Sequence, residues 1–550
     1  MDVLRPRGLS AFLIAAVLLS QVASATEGPM ASSRPDIVVI MLDDLDVATF
    51  DSALELGLLP AIQADMVAGG MRFDQSFVTD SLCCPSRATF MTGQYPHNHG
   101  VRRGQAAIDG SFAAFDDSHT LATALQASGY RTALIGKFLN GYGYEIPLNH
   151  PECNSSECRM RYVPAGWTDW QGAPDYGELN GTPGYAGAYC MYNYTVNDNG
   201  ALFNYGSDVA DYQTDVFARR AGAIIDKVTQ GGEPLFLVAS PLAPHYELCL
   251  PLNDAFAYDL RPAPRHAGSL PPWIKLDVGK PSFNEIDLSD KPAWFSDEYP
   301  VMDARQTAML DRQYRHRLEA LRAVDDLFAT IRERLLVGGR WTNTYLFLTS
   351  DNGWLYGEHR ATGKVMAYEE SIRVPLLLRG PGVPAGARRE ALVLNNDLAP
   401  TIIELAGSTM DVPADGRSLL PLLAQDMPPA WRRRFLVEHF RDPPPAPVDY
   451  LDFLAVRTGA GDFDGTGLRT LIDWRVDWLV DPRPAGIEHY DLGVDPLQQA
   501  SIDPLDRETA SQLASLRAAL ALLRACGQAG RVDCIEAERI REHLFLGAFD

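Results

Sequence analysis

Residues 36–44 read Asp36-Ile37-Val38-Val39-Ile40-Met41-Leu42-Asp43-Asp44, an apolar run that ends in two adjacent carboxylates. A continuous run of aliphatic, largely β-branched residues predicts a strand that is buried on both faces, as in a parallel sheet covered by helices. The predicted strand spans residues 36–42.

Four further apolar runs are predicted to be parallel strands of the same sheet: residues 131–135, 234–239, 344–348 and 373–378. Helical patterns alternate with them, at residues 121–128, 215–228, 308–335 and 398–406. This alternation is typical of an α/β fold with helices on both faces of the sheet. The sequence therefore predicts a three-layer α/β/α sandwich.

The amino-terminal residues have the pattern of a secretory signal peptide. Arg5 and Arg7 precede an apolar run at residues 9–19, and small residues at 23–25 favour cleavage after Ala25. An uncleaved anchor is the alternative. No later stretch reaches the roughly 18 apolar residues of a membrane helix, so no membrane span is predicted. We expect a secreted, extracytoplasmic protein in the periplasm, the medium or a lysosome-like organelle.

A second domain is predicted after the large sandwich. The polar, proline-rich stretch 425–447 is followed by strand-like segments at residues 454–458, 469–472 and 476–480 and by a helical segment at residues 509–525. The predicted parts are a signal peptide at residues 1–25, the large α/β domain at residues 26–425 and a smaller α+β domain at residues 426–550.

The eight cysteines fit an oxidising compartment. Cys83 and Cys84 are adjacent, and the other six suggest three disulfides, with Cys153–Cys158 and Cys526–Cys534 as the favoured local pairs. Three asparagines begin an N-x-[ST] sequence, which is a glycosylation signal in some hosts and otherwise a chance occurrence: Asn154, Asn180 and Asn193.

The charge balance bears on the choice of partner. The chain has 71 Asp and Glu against 48 Lys and Arg, a net charge of -23. Proteins that bind a phosphate backbone usually show the opposite balance, so no nucleic-acid partner is predicted. An anionic substrate would need a local cationic pocket within this acidic surface.

Polar side chains follow four of the predicted strands where those strands end: Asp43, Asp44, Lys137, His245, Asp351 and Asn352. Ligands of open α/β sheets bind outside the carboxyl ends of the strands, so these groups are expected in one crevice. Taken alone, each has an ordinary alternative, such as a helix cap, a turn or a solvated lysine. Together, three carboxylates and one amide favour calcium, with magnesium as the alternative, over zinc.

Residues 83–93 form the sharpest motif, Cys83-Cys84-Pro85-Ser86-Arg87-Ala88-Thr89-Phe90-Met91-Thr92-Gly93. Proline is tolerated in the first turn of a helix and glycine commonly ends one, so the motif predicts a helix from Cys83 to Gly93. Cys83 would then lie at the positive end of the helix dipole. Three roles are open for it: a thiolate nucleophile, a structural disulfide, or the precursor of another group.

The frame Cys83-x-Pro85-Ser86-Arg87, followed by Thr92-Gly93, resembles the signature of the type I sulfatase family. The resemblance covers nearly the whole mature chain. Residues 83–101, 136–143, 163–170, 192–195, 343–353 and 374–382 are most similar to glucosamine-6-sulfatases and extracellular heparan sulfatases. The segment from Gly357 to Lys364 is instead similar to arylsulfatases in general. The resemblance implies an alkaline-phosphatase-like sandwich whose large domain is catalytic.

The resemblance also implies a chemical conversion and a metal. In that family the first cysteine of the frame is oxidised to Cα-formylglycine (3-oxoalanine), which implies that a formylglycine-generating enzyme acts on Cys83. One calcium ion, or magnesium, would be held by oxygen ligands and the converted cysteine: Asp43, Asp44, Asp351, Asn352 and Cys83. Such a site would attack sulfur with the hydrated aldehyde.

The remaining roles follow from charge. Arg87 would hydrogen-bond the group at position 83, and Lys137 and Lys364 would hold sulfate oxygens. His245 is the candidate general acid for the leaving oxygen. The predicted substrate-binding residues are Lys137, Asn140, His245, His359 and Lys364.

One element of the family is missing. Many sulfatases carry Lys-x-His after the second strand, whereas Leu139 occupies the histidine position here and Asn140 follows it. An amide can hydrogen-bond but cannot act as a base, so the proton acceptor is left open. His359 is one candidate, and a structural loop histidine is the alternative.

The predicted function is a sulfuric ester hydrolase acting on a small-molecule or oligosaccharide sulfate ester. The expected substrates are sulfated sugars of the glucosamine 6-sulfate or glycosaminoglycan type, or aryl sulfates. Two alternatives remain: a phosphonate or phosphate ester hydrolase on the same scaffold, and a non-catalytic exported glycan-binding protein in which Cys83 is not converted.

Overall fold

A computed structural model describes residues 34–104, 109–179, 182–185, 187–249, 259–440, 452–459, 468–474, 486–502, 510–528 and 532–539. The predicted signal peptide, Asn180 and the predicted strand at residues 476–480 lie outside the described residues.

The described strands are β1 (Asp36–Leu42), β2 (Met71–Phe73), β3 (Ser76–Phe77), β4 (Arg131–Lys137), β5 (Asp169–Ala173), β6 (Tyr176–Leu179), β7 (Thr182–Tyr185), β8 (Thr195–Asp198), β9 (Ala201–Asn204), β10 (Leu235–Ser240), β11 (Thr344–Ser350), β12 (Leu355–Tyr356), β13 (Thr362–Gly363), β14 (Leu376–Arg379), β15 (Ala387–Arg389), β16 (Val393–Leu394), β17 (Arg434–His439), β18 (Phe453–Thr458), β19 (Arg469–Trp474) and β20 (Gly486–Asp491).

The described α-helices are α1 (Val47–Glu55), α2 (Pro60–Ile62), α3 (Cys83–Thr92), α4 (Pro96–His99), α5 (Leu121–Ala127), α6 (Ser156–Arg161), α7 (Gln213–Gly231), α8 (Phe295–Glu298), α9 (Ala304–Val337), α10 (Glu369–Ile372), α11 (Leu398–Ala406), α12 (Pro421–Ala424), α13 (Ala510–Ala525) and α14 (Cys534–Ala537). A π-helical turn spans Gln63–Val67, and 3-10 turns span Phe112–Ala114, Val209–Asp211, Trp341–Asn343 and Asn395–Asp397.

The main sheet has ten strands, in the order β15-β2-β14-β11-β1-β10-β4-β5-β8-β9. Its centre is parallel, because β1 pairs in parallel with β10 and β11, and β4 pairs in parallel with β10 and β5. The carboxyl ends of these central strands therefore lie at one edge of the sheet, where ligands of such folds bind.

One predicted strand runs in the opposite direction. A parallel strand was expected at residues 373–378, but β14 pairs antiparallel with β11. The connection between β11 and β14 stays at the edge where β11 ends, and it carries Lys364 to Asp44 there. The chain therefore enters β14 from that edge. An apolar run predicts a buried strand but carries no information about its direction.

Helices cover both faces of the sheet, as predicted. Successive side chains of β1 point to opposite faces, and all of β1 is buried. Val38 and Ile40 belong to the core that contains α7 and α9, whereas Ile37 and Val39 belong to the core that contains α3, α5 and α11. The three-layer α/β/α sandwich is confirmed.

A smaller antiparallel sheet follows the sandwich. It contains β17, β18, β19 and β20, and α13 packs on it. Leu516 of α13 and Leu471 of β19 share one hydrophobic cluster with Phe77 and Tyr95 of the large domain. β17 lies inside the proline-rich stretch where no strand was predicted. The predicted boundary between residues 425 and 426 follows α12 and stays a prediction.

Three disulfides are present: Cys153–Cys158, Cys190–Cys249 and Cys526–Cys534. Both favoured local pairs are confirmed. Cys83 and Cys84 are buried free cysteines. Among the described helices, none combines the length and apolar character that crossing a bilayer requires.

Candidate active site

The polar residues predicted at the strand ends meet at one edge of the sheet. Asp43 and Asp44 follow β1, and Lys137 is the last residue of β4. His245 follows β10, and the pair Asp351 and Asn352 follows β11. All six side chains are buried.

The acidic residues and the amide contact one another directly. The Asp44 backbone N–H donates to Asp351 Oδ1 over 3.1 Å, and Asn352 Nδ2 donates to Asp44 Oδ1 over 2.6 Å. Asp44 has a left-handed backbone with φ 62°, a conformation that aspartate tolerates better than most residues. Arg317 of α9 donates to its carbonyl oxygen. The turn after β1 therefore holds both carboxylates inside the protein.

Cys83 is the first residue of α3, and Gly93 ends the helix in the left-handed conformation with φ 72°. The predicted start of the helix at Cys83 and its predicted end at Gly93 are both confirmed. The Cys83 side chain is buried, and its thiol donates to Asn140 Oδ1 over 3.2 Å. Cys83 is not part of a disulfide, so the structural-disulfide role does not apply in this structure.

Three cations converge on these carboxylates. Arg87, one helical turn after Cys83, donates from Nε to Asp351 Oδ2 over 2.7 Å. Lys137 Nζ lies 2.5 Å from Asp43 Oδ2, and Lys364 Nζ lies 2.6 Å from Asp44 Oδ1. Three carboxylates thus face three cations. A bound divalent cation would leave this cluster with a surplus of two positive charges for an anionic substrate.

His245 faces the same cluster. Its Nδ1–H donates to the Tyr246 carbonyl oxygen over 2.6 Å, and its Nε2 lies 3.4 Å from Asp44 Oδ2. Burial lowers the pKa of His245 to about 4, although the charges of Asp44 and Asp43 oppose this effect. The ring is therefore neutral at pH 7 and directs Nε2 toward the carboxylates.

The pKa values of the acidic residues depend on two opposing effects: burial raises them and the neighbouring cations lower them. Burial would raise the pKa of Asp43, but the charges of Lys137, Arg87 and Lys364, and that of His245 once its ring is protonated at low pH, outweigh burial and lower the pKa. Burial would also raise the pKa of Asp44, but protonated His245 and the charges of Lys364 and Arg317 lower it. Burial and the charge of Asp43 raise the pKa of Asp351 to about 6. Burial also raises the pKa of the Cys83 thiol, so an unmodified Cys83 is a poor thiolate nucleophile.

Several oxygen atoms in the cluster fit a metal ion. Asp43 Oδ1, Asp44 Oδ2 and Asn352 Oδ1 are buried and have no hydrogen-bond partner among the described residues. Ligand atoms of Asp43, Asp44 and His245 lie within 4.8 Å of one another. A buried oxygen without a partner is costly, and a hard cation would satisfy all three. The donor set therefore fits calcium or magnesium.

Two predicted binding residues have different surroundings. Asn140 lies at the cluster, because its Oδ1 accepts from Cys83 and its Nδ2 donates to the Tyr189 hydroxyl over 3.0 Å. His359 does not lie there: its Nδ1 is 2.7 Å from Glu285 Oε2, and its ring packs against Tyr368. Its Nε2 has no hydrogen-bond partner among the described residues. The structure thus favours the structural alternative for His359.

Sequence reasoning missed three residues that support the site. Ser240, the last residue of β10, accepts from Arg87 Nη1 over 2.6 Å, and its position at a strand end was an available signal. Arg317 comes from the middle of α9, where no motif marks it. Tyr189 comes from the long insertion between β5 and β8, and its ring lies 4.5 Å from Lys137 Nζ.

The fold is an α/β/α sandwich of the alkaline-phosphatase-like class, and at its strand ends a buried free cysteine lies beside a cluster of carboxylates that could hold a cation. The sulfatase family model matches residues 35–408 of the chain. The chain therefore belongs to the sulfatase family, and the protein is a sulfatase.

Characterised relatives agree with this family. The N-acetylglucosamine-6-sulfatase of Capra hircus is 32% identical over 419 residues, which cover 74% of this chain and 67% of the goat protein. The arylsulfatase of Volvox carteri is 34% identical over 415 residues, covering 72% of this chain and 59% of the algal protein.

Solved structures agree with the fold. A protein in complex with its substrate D-glucosamine-2-N,6-O-disulfate superimposes with a TM-score of 0.65 and 22% identity, covering 89% of this chain and 97% of that one. The phosphonate monoester hydrolase of Silicibacter pomeroyi gives a TM-score of 0.64 and 20% identity, covering 89% and 95%. The similarity to both structures shows that this chain has the same fold as they do.

Proposed function

We propose that this sulfatase removes sulfate from sulfated sugars of the glucosamine 6-sulfate type, with aryl sulfates as simpler substrates. The N-acetylglucosamine-6-sulfatase and arylsulfatase relatives support this choice of substrate class. Export to an extracytoplasmic space is part of the proposal, and three disulfides support it.

One observation carries the proposal. The buried Cys83 begins helix α3, and the cluster beside it contains two lysines and three oxygens that suit a hard cation and have no hydrogen-bond partner among the described residues. An enzyme whose nucleophile is a thiolate does not need oxygens that bind a metal. An enzyme whose nucleophile is an oxygen activated by a divalent ion does need them. This combination favours an oxidised Cys83.

Residues of the cluster would hold the metal ion and the converted cysteine of this proposal. Asp43, Asp44, Asp351 and Asn352 would hold the calcium ion, next to a formylglycine produced from Cys83 by a formylglycine-generating enzyme. Together these two groups would supply an activated oxygen that attacks sulfur and later releases sulfate. Arg87 orients Asp351 and contributes positive charge to the cluster.

The protein's cations bind the sulfate group in this proposal. Lys137 and Lys364 extend their ammonium groups into the cluster from β4 and from the residue after β13. They would hold sulfate oxygens and stabilise the charge that develops on them in the transition state. Asn140 would contribute a hydrogen bond beside position 83.

His245 is the proposed proton donor to the leaving oxygen. Its Nδ1–H is held by Tyr246, so the proton would be delivered from Nε2. Because its pKa is lowered to about 4, only a small fraction of the protein carries that proton at neutral pH.

A direct assay tests the proposal. N-acetylglucosamine 6-sulfate, an aryl sulfate, and an aryl phosphate and phosphonate of matched leaving group would be compared at equal enzyme concentration. We expect turnover of both sulfates, loss of activity on chelation, and recovery with calcium. Faster turnover of the phosphate or phosphonate would favour the alternative hydrolase, which the shared scaffold allows. Absence of any turnover by protein with converted Cys83 would contradict the proposal.

A further inference from the structure

Tyr189 contacts three residues of the proposed site. Its hydroxyl accepts from Asn140 Nδ2 over 3.0 Å. Its ring lies 4.5 Å from Lys137 Nζ and 5.2 Å from the ring of His245. The side chain is buried. No step of the proposed reaction uses Tyr189, so these contacts need a separate explanation.

The Asn140 amide connects Tyr189 to position 83. Asn140 Nδ2 donates to the tyrosine hydroxyl, while Asn140 Oδ1 accepts from Cys83 Sγ over 3.2 Å. An amide presents donors on one side and an acceptor on the other. Since the donor side is held by Tyr189, the acceptor side faces position 83.

The segment that carries Tyr189 is fixed to the segment that carries His245. Leu248 N–H donates to the Tyr189 carbonyl oxygen over 3.2 Å, and the Cys190–Cys249 disulfide joins the two segments. Met191 N–H also donates to Glu247 Oε2 over 2.8 Å. These bonds connect the backbone that carries Tyr189 to the segment that follows β10.

We propose that Tyr189 is a positioning residue, which orients the Asn140 amide so that its carbonyl accepts a hydrogen bond from the group at position 83. The expected effect on catalysis rests on the proposed function. The hydrogen bonds that join Tyr189, Asn140 and Cys83 do not depend on which substrate binds. The tyrosine hydroxyl orients the amide, and its ring supports the ammonium of Lys137.

Tyr189→Phe removes the hydroxyl and keeps the ring. We expect roughly a tenfold lower kcat with KM within about twofold, because a hydrogen bond that orients the reacting group is lost while sulfate binding is retained. Tyr194→Phe is the matched control, since Tyr194 lies in the same insertion and its buried hydroxyl has no hydrogen-bond partner among the described residues. The control should keep its kcat, and both variants should keep the parental content of converted Cys83.

Two further measurements separate this role from a general packing role. In the Asn140→Ala background, adding Tyr189→Phe should change kcat less than twofold, because the tyrosine acts through the amide. A crystal structure of unconverted Tyr189→Phe protein should show the Asn140 side chain moved away from Cys83 while Lys137 stays in place. An unmoved amide, or an equal effect of Tyr189→Phe in both backgrounds, would overturn the inference. Failure of the proposed function would instead show as inactivity of the parent protein.

Discussion

At the residue scale, the site balances three buried carboxylates against three buried cations. Isolated charges are costly to bury, so each of the six depends on its partners. Lys137 contacts Asp43, Lys364 contacts Asp44, and Arg87 contacts Asp351. This pairing buries the two lysines that we propose to bind sulfate, inside a chain of net charge -23.

Lys137→Ala tests the role of one of these cations. We expect kcat to fall roughly 100- to 1000-fold at saturating calcium, comparable to the loss of one oxyanion-stabilising group. Lys227→Ala is the control, because the Lys227 side chain is 57% exposed and contacts Asp169 away from the site. Steady-state kinetics with an aryl sulfate measure both variants. A kcat within threefold of the parent for Lys137→Ala would contradict the assigned role.

His99 is expected to make stability depend on pH. Its Nδ1 accepts the Val101 backbone N–H, so the ring is neutral, and burial lowers its pKa to about 3. The unfolded chain, with a pKa near 6.5, binds more protons between these values. Stability should therefore fall as the pH decreases from about 6.5 toward 3, on the order of 1–2 kcal/mol at pH 5.

Urea unfolding of His99→Gln at pH 7 and pH 5 measures this contribution. The variant should lose less stability than the parent on acidification. His119→Gln serves as the comparison at a histidine whose side chain is 47% exposed. Equal pH dependence of His99→Gln and the parent would show that His99 is not the group responsible.

Single residues at strand ends could be predicted from the sequence, because their place follows from the strands themselves. Asp43 and Asp351 are examples, and both lie in the cluster. Tyr189 could not be predicted, since its position depends on how a long insertion folds back. For His359 the sequence left two roles open, and the contacts of its ring with Glu285 and Tyr368 favour the structural one.

At the scale of elements, β4 carries Lys137 next to β10, and a glycine makes the close approach between these strands possible. Gly136 has φ 102°, and a Cβ atom there would overlap the Ser240 carbonyl and lie 2.9 Å from the Phe217 ring. Ser240 also accepts from Arg87. A change at Gly136 should therefore affect both packing and the site.

Gly136→Ala should destabilise the protein by several kcal/mol, because it adds steric overlap with backbone to the strain of a positive φ. Gly57→Ala is the matched control: Gly57 also has a positive φ, 66°, but a Cβ there meets nothing within 4 Å. The control should cost about 1 kcal/mol. Denaturant unfolding compares the two, and equal losses would refute the packing argument.

Helices and buried strands were predictable because their apolar periodicity is local. The bounds of β1 and α11 agree with residues 36–42 and 398–406. The direction of β14 was not predictable, since it depends on the path of the connection before it. β17 was not predicted, because the sequence around it is rich in proline, although all six residues of the strand are buried.

At the scale of the whole molecule, the smaller sheet is joined to the sandwich by a shared core and by buried ion pairs. Arg432 donates to both oxygens of Asp397, and its Nε donates to Glu538 Oε2 over 2.9 Å. All three side chains are fully buried. Tyr95 adds a hydrogen bond to Glu538 over 2.7 Å.

Arg432→Leu should destabilise the protein by roughly 3–5 kcal/mol, because it leaves the buried Asp397 carboxylate without its cation and removes one of the two arginines, Arg432 and Arg417, that pair with Glu538. Arg388→Leu provides the comparison, since the Arg388 side chain is 63% exposed and the buried Asp74 keeps Arg72 as a second cation, so we expect a loss under about 1 kcal/mol. Thermal unfolding at pH 7 distinguishes them. A small loss for Arg432→Leu would show that the domains are joined chiefly by the apolar core.

The most direct test concerns the chemical state of position 83 in active protein. Aldehyde-specific labelling and mass analysis of the peptide that contains Cys83 would be measured alongside turnover of an aryl sulfate. We predict that turnover is proportional to the fraction of aldehyde at that position, is absent in Cys83→Ser, and persists in Cys84→Ala. Full turnover by protein that retains an intact thiol at position 83 would contradict the account.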